Sequence, residues 1–299
     1  MTHRSILLLA STVMFTGAAA SAVTPAVVAD VTRQIYISAT DGAGAPVTDL
    51  TAAEISIKEG GKDRPVQSLE PATGPMHIAV LVDDAGSGAF QAATAQFLDR
   101  TLARSQVSIT LLNPQASMLV DFTNEPSALR DALGRLGRRG RIHHPVPVRT
   151  ADGDQMLDAI DRAAKALQQR KAERPVVVAM TLAGGKPELI DPNNVLDSVR
   201  VSGTMLNVVY LAGADLGMVM GDGPRQSGGR IEQAGNGNGI IPAAIKIAES
   251  LQTQYVVTYT IPDGTSLSDR VAVSTSRKGI KLTAPTHITS KRPSPARAR

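Results

Sequence analysis

Oxygen-bearing side chains follow directly after one strongly apolar run of the sequence. Residues 78–82 read Ile-Ala-Val-Leu-Val, and Asp83, Asp84 and Ser87 come just after them. Such a run is too short and too β-branched for a helix and is typical of a strand that is buried on both faces. Because ligands of open α/β sheets bind at the carboxyl ends of strands, these three residues are the best site candidates. Two functions are open for them, a binding surface and a hydrolase that uses Ser87.

The hydrolase alternative depends on the position of Ser87 at a predicted strand-to-helix turn, where a nucleophile can be exposed. The sequence contains no Gly-x-Ser-x-Gly and no His-Glu-x-x-His motif, and no nucleophile and base stand in a recognisable order. We therefore expect a protein without enzymatic activity, an interaction module that binds a protein or an envelope polymer.

The elements that must position these residues alternate between strands and helices from Pro75 onward. Further apolar runs predict strands at 107–112, 118–122, 175–181 and 205–211, and helical periodicity marks 90–103, 126–136, 156–167, 189–201 and 242–252. This order predicts an α/β domain at residues 75–253 with a doubly wound, mostly parallel sheet. The glycine-rich residues 216–239 lack a phosphate-loop motif, and we interpret them as a flexible surface loop.

Both ends of this domain are flanked by short predicted strands. Residues 23–74 and residues 254–285 contain three such strands each, and neither segment can bury a self-sufficient core. We therefore predict that they pair into one small β-sandwich with the α/β domain inserted between them. Residues 286–299 are rich in Pro, Ser and Arg, and we expect them to form a disordered basic tail.

Residues 1–22 have the pattern of a secretory signal peptide. Arg4 precedes an apolar stretch at 6–15, and Ala20-Ser21-Ala22 is a small-x-small cleavage site. No other stretch is long enough to span a bilayer, so we expect no transmembrane segment in the mature chain. The absence of cysteine is compatible with export. These features predict a periplasmic or extracellular protein.

The net charge of +4 does not indicate nucleic-acid binding. Four of the cations lie in the tail and one is Arg4, so the rest of the chain carries a net charge of −1. A nearly neutral body offers no basic surface for a phosphate backbone.

A second group of candidates is basic and lies between two predicted helices. Arg138, Arg139 and Arg141 stand among other arginines and two histidines, with no acidic residue between 135 and 149. Clustered guanidinium groups can bind phosphate, sulfate or carboxylates. The alternative is a solvated loop, which we favour. His143-His144 is a weaker metal candidate, because adjacent side chains of an extended chain point apart.

The order of these parts resembles the secreted bacterial type of von Willebrand factor A (VWA)-related domain, the acidobacterial family. The resemblance covers about residues 32–284. It rests on the following residues: Asp41, Gly44, Pro46-Val47 and Leu50-Thr51 in the first strand pair, Ile55 to Gly60 in the next strand, and Leu251, Gln254, Tyr255 and Tyr259 where a late helix runs into a strand. The resemblance implies a fold with an interaction site at the carboxyl edge of its sheet.

In that family this edge carries a metal-ion-dependent adhesion site, whose Asp-x-Ser-x-Ser signature falls on Asp83, Ala85 and Ser87. The family's threonine ligand falls on Asp154, and its later aspartate falls on Leu182. The resemblance thus implies that two ligands remain, Asp83 and Ser87. One interpretation is a looser Mg²⁺ or Ca²⁺ site of Asp83, Ser87 and Asp154. The other, which we favour, is that no cofactor is held and that Asp83 and Ser87 cap the following helix.

Overall fold

The computed structural model describes residues 30–84, 86–137, 151–182, 184, 187, 189–262 and 264–290. These residues contain thirteen strands and six α-helices. The strands are β1 (Val31–Thr40), β2 (Ile55–Glu59), β3 (Lys62–Arg64), β4 (Val66–Pro71), β5 (Met76–Asp83), β6 (Ser105–Leu111), β7 (Ser117–Thr123), β8 (Arg174–Thr181), β9 (Met205–Leu211), β10 (Ile231–Ala234), β11 (Tyr255–Ile261), β12 (Val271–Thr275) and β13 (Lys281–Thr283). The helices are α1 (Gln91–Thr101), α2 (Pro126–Arg135), α3 (Ala151–Gln169), α4 (Pro192–Ser202), α5 (Gly217–Ser227) and α6 (Ile240–Gln252). The predicted signal peptide at residues 1–22 and the candidates Arg138, Arg139 and Arg141 lie outside the described residues and stay predictions.

The central sheet has six strands in the order β10-β9-β8-β5-β6-β7. Every neighbouring pair is parallel except β6 and β7, which are antiparallel. The carboxyl ends of five strands therefore meet at one edge of the sheet. This arrangement confirms the predicted doubly wound, mostly parallel sheet.

Helices cover both faces of this sheet because its central strand is apolar on both sides. Val80 of β5 packs in one buried cluster with Phe97 of α1 and Ile247 of α6. Leu81, the next residue, packs in a second cluster with Ile160 of α3. Successive side chains of a strand point to opposite faces, so a continuous apolar run builds two cores at once.

The glycine-rich residues 216–239 are not the surface loop that we predicted, since they form α5 and β10. A Cβ on Gly223 would lie 2.9 Å from Leu206 Cδ2, and a Cβ on Gly229 would lie 1.8 Å from the Leu206 carbonyl oxygen. At Gly229 the backbone of β9 leaves no room for a side chain, and at Gly223 a side chain would displace the ends of Leu206 and Leu196. The prediction was wrong because glycine serves close packing here, where we interpreted it as flexibility.

The two ends of the chain form two antiparallel sheets that share one core. β1 pairs with β11 and β13 in a sheet of order β13-β1-β11-β4, and β12 pairs with β2 in a sheet of order β12-β2-β3. Ile37, Ile57 and Tyr259 from these sheets lie in a single buried cluster. The predicted pairing between amino-terminal and carboxyl-terminal strands is confirmed.

The backbone after β13 stays on the protein surface in a fixed path. Gln226 at the end of α5 accepts hydrogen bonds from the amides of Thr286 and His287, both at 3.0 Å, and Ile288 N donates to Asp269 O at 2.8 Å. The prediction of disorder from residue 286 is therefore wrong up to residue 290. Composition suggested disorder, but backbone groups that find partners on a neighbouring element are held in place.

One arginine holds both crossings between the β-sandwich and the α/β domain. Arg174 begins β8 and is only 2% exposed. Its Nη1 donates to the carbonyl oxygens of Ala72 and Gly74, both at 3.0 Å, where the chain enters the domain. Its Nη2 donates at 2.9 Å to Leu251 O and to Gln254 Oε1, where the chain leaves it. A single guanidinium group thus fixes the two connections to each other.

Candidate functional site at the carboxyl edge of the sheet

Asp83 ends the central strand and is held by the two strands beside it. Its side chain is 5% exposed. The Thr181 hydroxyl, on the residue that pairs with Asp83 in β8, donates to Asp83 Oδ2 at 3.0 Å. The Asn113 side-chain amide, which follows β6, donates to Asp83 Oδ1. Thr181 Oγ1 also accepts the Gly184 amide at 2.8 Å. Both carboxylate oxygens therefore accept hydrogen bonds from neighbouring side chains.

Asp84 closes the turn that follows the strand. It is 1% exposed, and its two oxygens accept the amides of Gly86 at 2.9 Å and Gly88 at 3.0 Å. The Ser87 amide donates to the Asp84 carbonyl oxygen at 3.0 Å. The Asp84 carboxylate has a structural task in this turn, because it satisfies two backbone N–H groups that the turn leaves unpaired.

Ser87 lies at the surface, and its Oγ accepts the Ala89 amide at 3.1 Å. The favoured interpretation, that Asp83 and Ser87 cap the following helix, is wrong. Helix α1 begins only at Gln91, and no side chain caps it at Phe90. The turn between strand and helix is longer than the sequence suggested, so Asp83 and Ser87 lie too far upstream to reach the first helical N–H groups.

Asp154 lies in the first turn of α3 and binds a different loop. Its carboxylate accepts the amide of Leu189 at 3.2 Å and that of Ile190 at 3.1 Å. It thereby holds the segment that leads from β8 into α4. Asp83 and Ser87 thus lie after the same strand, β5, whereas Asp154 binds the loop that follows β8.

The carboxylates at this edge are each engaged by hydrogen-bond donors of the protein. Mg²⁺ and Ca²⁺ are surrounded by about six to eight oxygen ligands, some of which are water molecules. Within the described ranges, no three His, Cys, Asp or Glu side chains converge in that way. The carboxylate oxygens of Asp83, Asp84 and Asp154 accept hydrogen bonds from N–H or O–H groups of the protein. Leu182, at the position of an aspartate in the resembling family, is half-buried and supplies no oxygen.

Asn113 and Thr181 are site residues that the sequence analysis missed. Thr181 is the last residue of β8 and pairs with Asp83 in register. Asn113 comes two residues after the end of β6. A polar residue at the carboxyl end of a neighbouring parallel strand is the signal that identifies both of them.

An exposed apolar side chain stands beside the site. Leu189 is 91% exposed although Asp154 fixes its amide. Met218, at the start of α5, is 46% exposed. A backbone bridge between Gly184 and Asp215 joins the loops that carry these two side chains. The loops at this edge thus present apolar surface on a constrained backbone, which the sequence analysis did not identify.

Glycine is required at the bridge between the two loops. Gly184 has a φ of +64°, and a Cβ there would lie 2.2 Å from the Asp215 carbonyl oxygen. The Asp215 carboxylate in turn accepts the Gly217 amide at 3.1 Å. The close approach of two backbones, without a side chain between them, sets the relative position of the loops.

None of the helices within the described residues combines the length and the apolar character that crossing a bilayer requires.

Comparison with known proteins gives similarity to VWA domains among solved structures. Neither the family models nor the curated proteins include a match to this chain. Proximal thread matrix protein 1 from the mussel byssus, with a zinc-occupied MIDAS motif, is 13% identical over 64% of this chain and 49% of its own, with a TM-score of 0.48. The SpRpn10 VWA domain is 12% identical over 58% of this chain and 94% of its own, with a TM-score of 0.40. An aerotolerance-related membrane protein from Bacteroides fragilis is 12% identical over 58% of this chain and 98% of its own, also at 0.40. The likeness spans about half of the mussel protein. At these values the fold assignment rests on the strand order of the chain itself.

Proposed function

We propose that this chain is an exported, non-catalytic VWA-type interaction module. Its partner, a protein or an envelope polymer, docks at the carboxyl edge of the central sheet. The observation that carries the proposal is Leu189, 91% exposed beside the candidate site while Asp154 holds its backbone. Exposed apolar surface that spans neighbouring elements marks interaction sites, and the exposed side chains of Leu189 and Met218 lie on two segments that the Gly184–Asp215 bridge joins. The family resemblance of the sequence supports the same type of function.

The absence of catalysis is part of the proposal. Ser87 would need a neighbouring base to act as a nucleophile. The described part of the chain contains two histidines, His77 and His287. His77 lies near the start of β5, roughly 20 Å from Asp83 at its end, at about 3.3 Å per residue. His287 lies beside Gln226. Hydrolysis by the mature protein that Ser87→Ala abolishes would contradict this part.

A crosslinking experiment tests the docking surface. A photo-reactive residue at position 189 of the mature protein should capture a partner from an envelope extract. The same residue at position 231 is the matched control, because Ile231 is also exposed, at 37%, but lies on the edge strand β10. We expect one saturable crosslinked species at position 189, competed away by unlabelled protein, with none at position 231. Equal capture at both positions, or none at either, would overturn the docking surface.

We further propose that docking needs no divalent cation. The support is the engagement of Asp83 by Thr181 and Asn113, which leaves its carboxylate stabilised by hydrogen bonds. Calorimetric titration of Mg²⁺ or Mn²⁺ into the mature protein should give no binding heat. A double variant, Ala85→Ser with Leu182→Asp, restores two oxygen ligands at the family's positions and serves as the comparison. Micromolar binding to the unaltered protein would contradict the proposal and support a metal-dependent module.

Export is proposed from the leader pattern of residues 1–22. When the full chain is expressed in a bacterium with its leader, the protein recovered from the envelope should begin at residue 23. N-terminal sequencing measures this directly. Recovery of the uncleaved chain from the cytoplasm alone would refute export.

A further inference from the structure

A cavity opens on the β-sandwich, far from the carboxyl edge of the central sheet. Its volume is about 470 Å³, and it lies between β3 and the loop that precedes β12. The side chains that matter for binding are Lys62 and Arg64 on β3 and Ser266 and Ser268 on the loop. The lining thus combines basic and hydroxyl side chains with two carboxylates, Glu59 and Asp269.

Among the described residues, Arg64 is buried with no acidic side chain paired to it. The residue is 8% exposed, yet its Nε has no hydrogen-bond partner among the described residues. Its Nη2 makes one long contact, 3.5 Å to the Glu59 carbonyl oxygen. Arginine keeps its charge in proteins and offers five N–H donors. A buried guanidinium group with so few acceptors is costly unless an anion accompanies it.

The carboxylates that line the same cavity are engaged elsewhere. Glu59 accepts Arg33 Nη1 at 3.2 Å, the Tyr259 hydroxyl at 2.8 Å and the Ser268 amide at 3.0 Å. This buried network pairs the Glu59 charge with Arg33. Burial, together with the hydrogen bond to Glu59, raises the pKa of Tyr259, so that its hydroxyl remains a donor.

The other lining carboxylate, Asp269, pairs with Arg200 at 3.1 Å. Both acids of the cavity thus have their own arginines. Among the described residues that line the cavity, Lys62, which is exposed, and Arg64 are left as an excess of two positive charges.

We propose that this cavity binds a small tetrahedral oxyanion, phosphate or sulfate, free or carried on a small ester. Arg64 provides charge-assisted hydrogen bonds from inside the cavity, and Lys62 provides a second cation at its mouth. Ser266, which is exposed beside them, supplies a hydroxyl donor. The site is independent of the docking surface at Leu189, because it belongs to the β-sandwich.

The first test compares thermal stability with and without the anion. In a phosphate-free, low-chloride buffer, the variant Arg64→Met should melt above the unaltered protein, because it no longer buries an unpaired charge. Added inorganic phosphate should raise the melting temperature of the unaltered protein and leave that of Arg64→Met unchanged. Equal shifts in both proteins, or no shift in either, would overturn the proposal.

The second test measures affinity and does not depend on a core substitution. Isothermal titration of the mature protein with inorganic phosphate, sulfate and glycerol phosphate separates the free ion from an ester. We expect Lys62→Gln to weaken phosphate binding about tenfold. Lys278→Gln is the matched control. Lys278 is also exposed, but it follows the carboxyl end of β12, whereas the cavity lies at the amino end of that strand. Unchanged affinity in Lys62→Gln, or an equal loss in Lys278→Gln, would refute the assignment.

Discussion

Replacing Arg174 with methionine should destabilise the protein strongly although the residue lies far from the candidate site. Burial lowers the pKa of Arg174, but the guanidinium group stays protonated at neutral pH. Three of its acceptors, Ala72 O, Leu251 O and Gln254 Oε1, form buried hydrogen bonds with it. A buried acceptor that loses its donor costs about 1–3 kcal/mol. Relief of the desolvated charge offsets part of the sum, so we expect a net loss of roughly 3–4 kcal/mol.

The assay is urea unfolding of the mature protein, followed by circular dichroism. Arg174→Lys should lose about half as much, since an ammonium group keeps the charge but cannot span both chain crossings. Arg170→Met is the matched control. Arg170 pairs with Asp121 at 2.6 Å, with side chains 42% and 58% exposed, and such pairs contribute at most about 1 kcal/mol. Amide exchange at residues 72–74 and 251–254 should accelerate in the Arg174 variants alone.

The reasoning would be refuted by a loss below about 1 kcal/mol in Arg174→Met, which is the lower limit for a single buried acceptor. An equal loss in Arg170→Met would refute it as well, because burial would then make no difference between the two arginines.

Two further predictions concern the β-sandwich and the glycine-rich segment. Hydrogen bonding from Arg277 lowers the pKa of Glu54 from 4.5 to about 2, so the ionised group stabilises the fold above pH 4.5 and this contribution is lost as the pH falls toward 2. Urea unfolding at several pH values should show that the free energy of unfolding of the unaltered protein falls toward that of Glu54→Gln between pH 4.5 and 2. A difference that stays constant over this interval would contradict the lowered pKa of Glu54. Gly229→Ala should destabilise the protein by several kcal/mol, roughly, because its Cβ would lie 1.8 Å from the Leu206 carbonyl oxygen. Gly235→Ala, with open space around it, should be nearly neutral, and urea unfolding of both variants measures the difference.

The sheet could be predicted because its signals are local. Residues 78–82 are apolar without interruption, and a run this short and rich in β-branched residues is typical of a strand buried on both faces. Pairing of the chain ends followed from a similarly simple argument, since neither segment had enough apolar surface for its own core. Both predictions use the amount and the period of hydrophobic residues, which the sequence states directly.

The glycine-rich residues 216–239 show where such reasoning fails. Glycine lowers local helix propensity by about 1 kcal/mol per residue, and this cost argued for a loop. Tertiary packing reverses the outcome at Gly223 and Gly229, because α5 and the turn after it approach β9 so closely that only hydrogen atoms fit. The sequence contains no signal for which neighbour a glycine will face.

By itself, the sequence determined that Asp83 ends a buried central strand at the edge where ligands bind. Only the tertiary structure decided what this carboxylate does, because its partners Asn113 and Thr181 come from the ends of two other strands. The same holds for Leu189, whose side chain is exposed while its amide donates to Asp154, a residue of another element. The residue types and the ends of strands follow from local sequence. The hydrogen-bond donors around a buried carboxylate come from distant segments, so only the packing of those segments determines them.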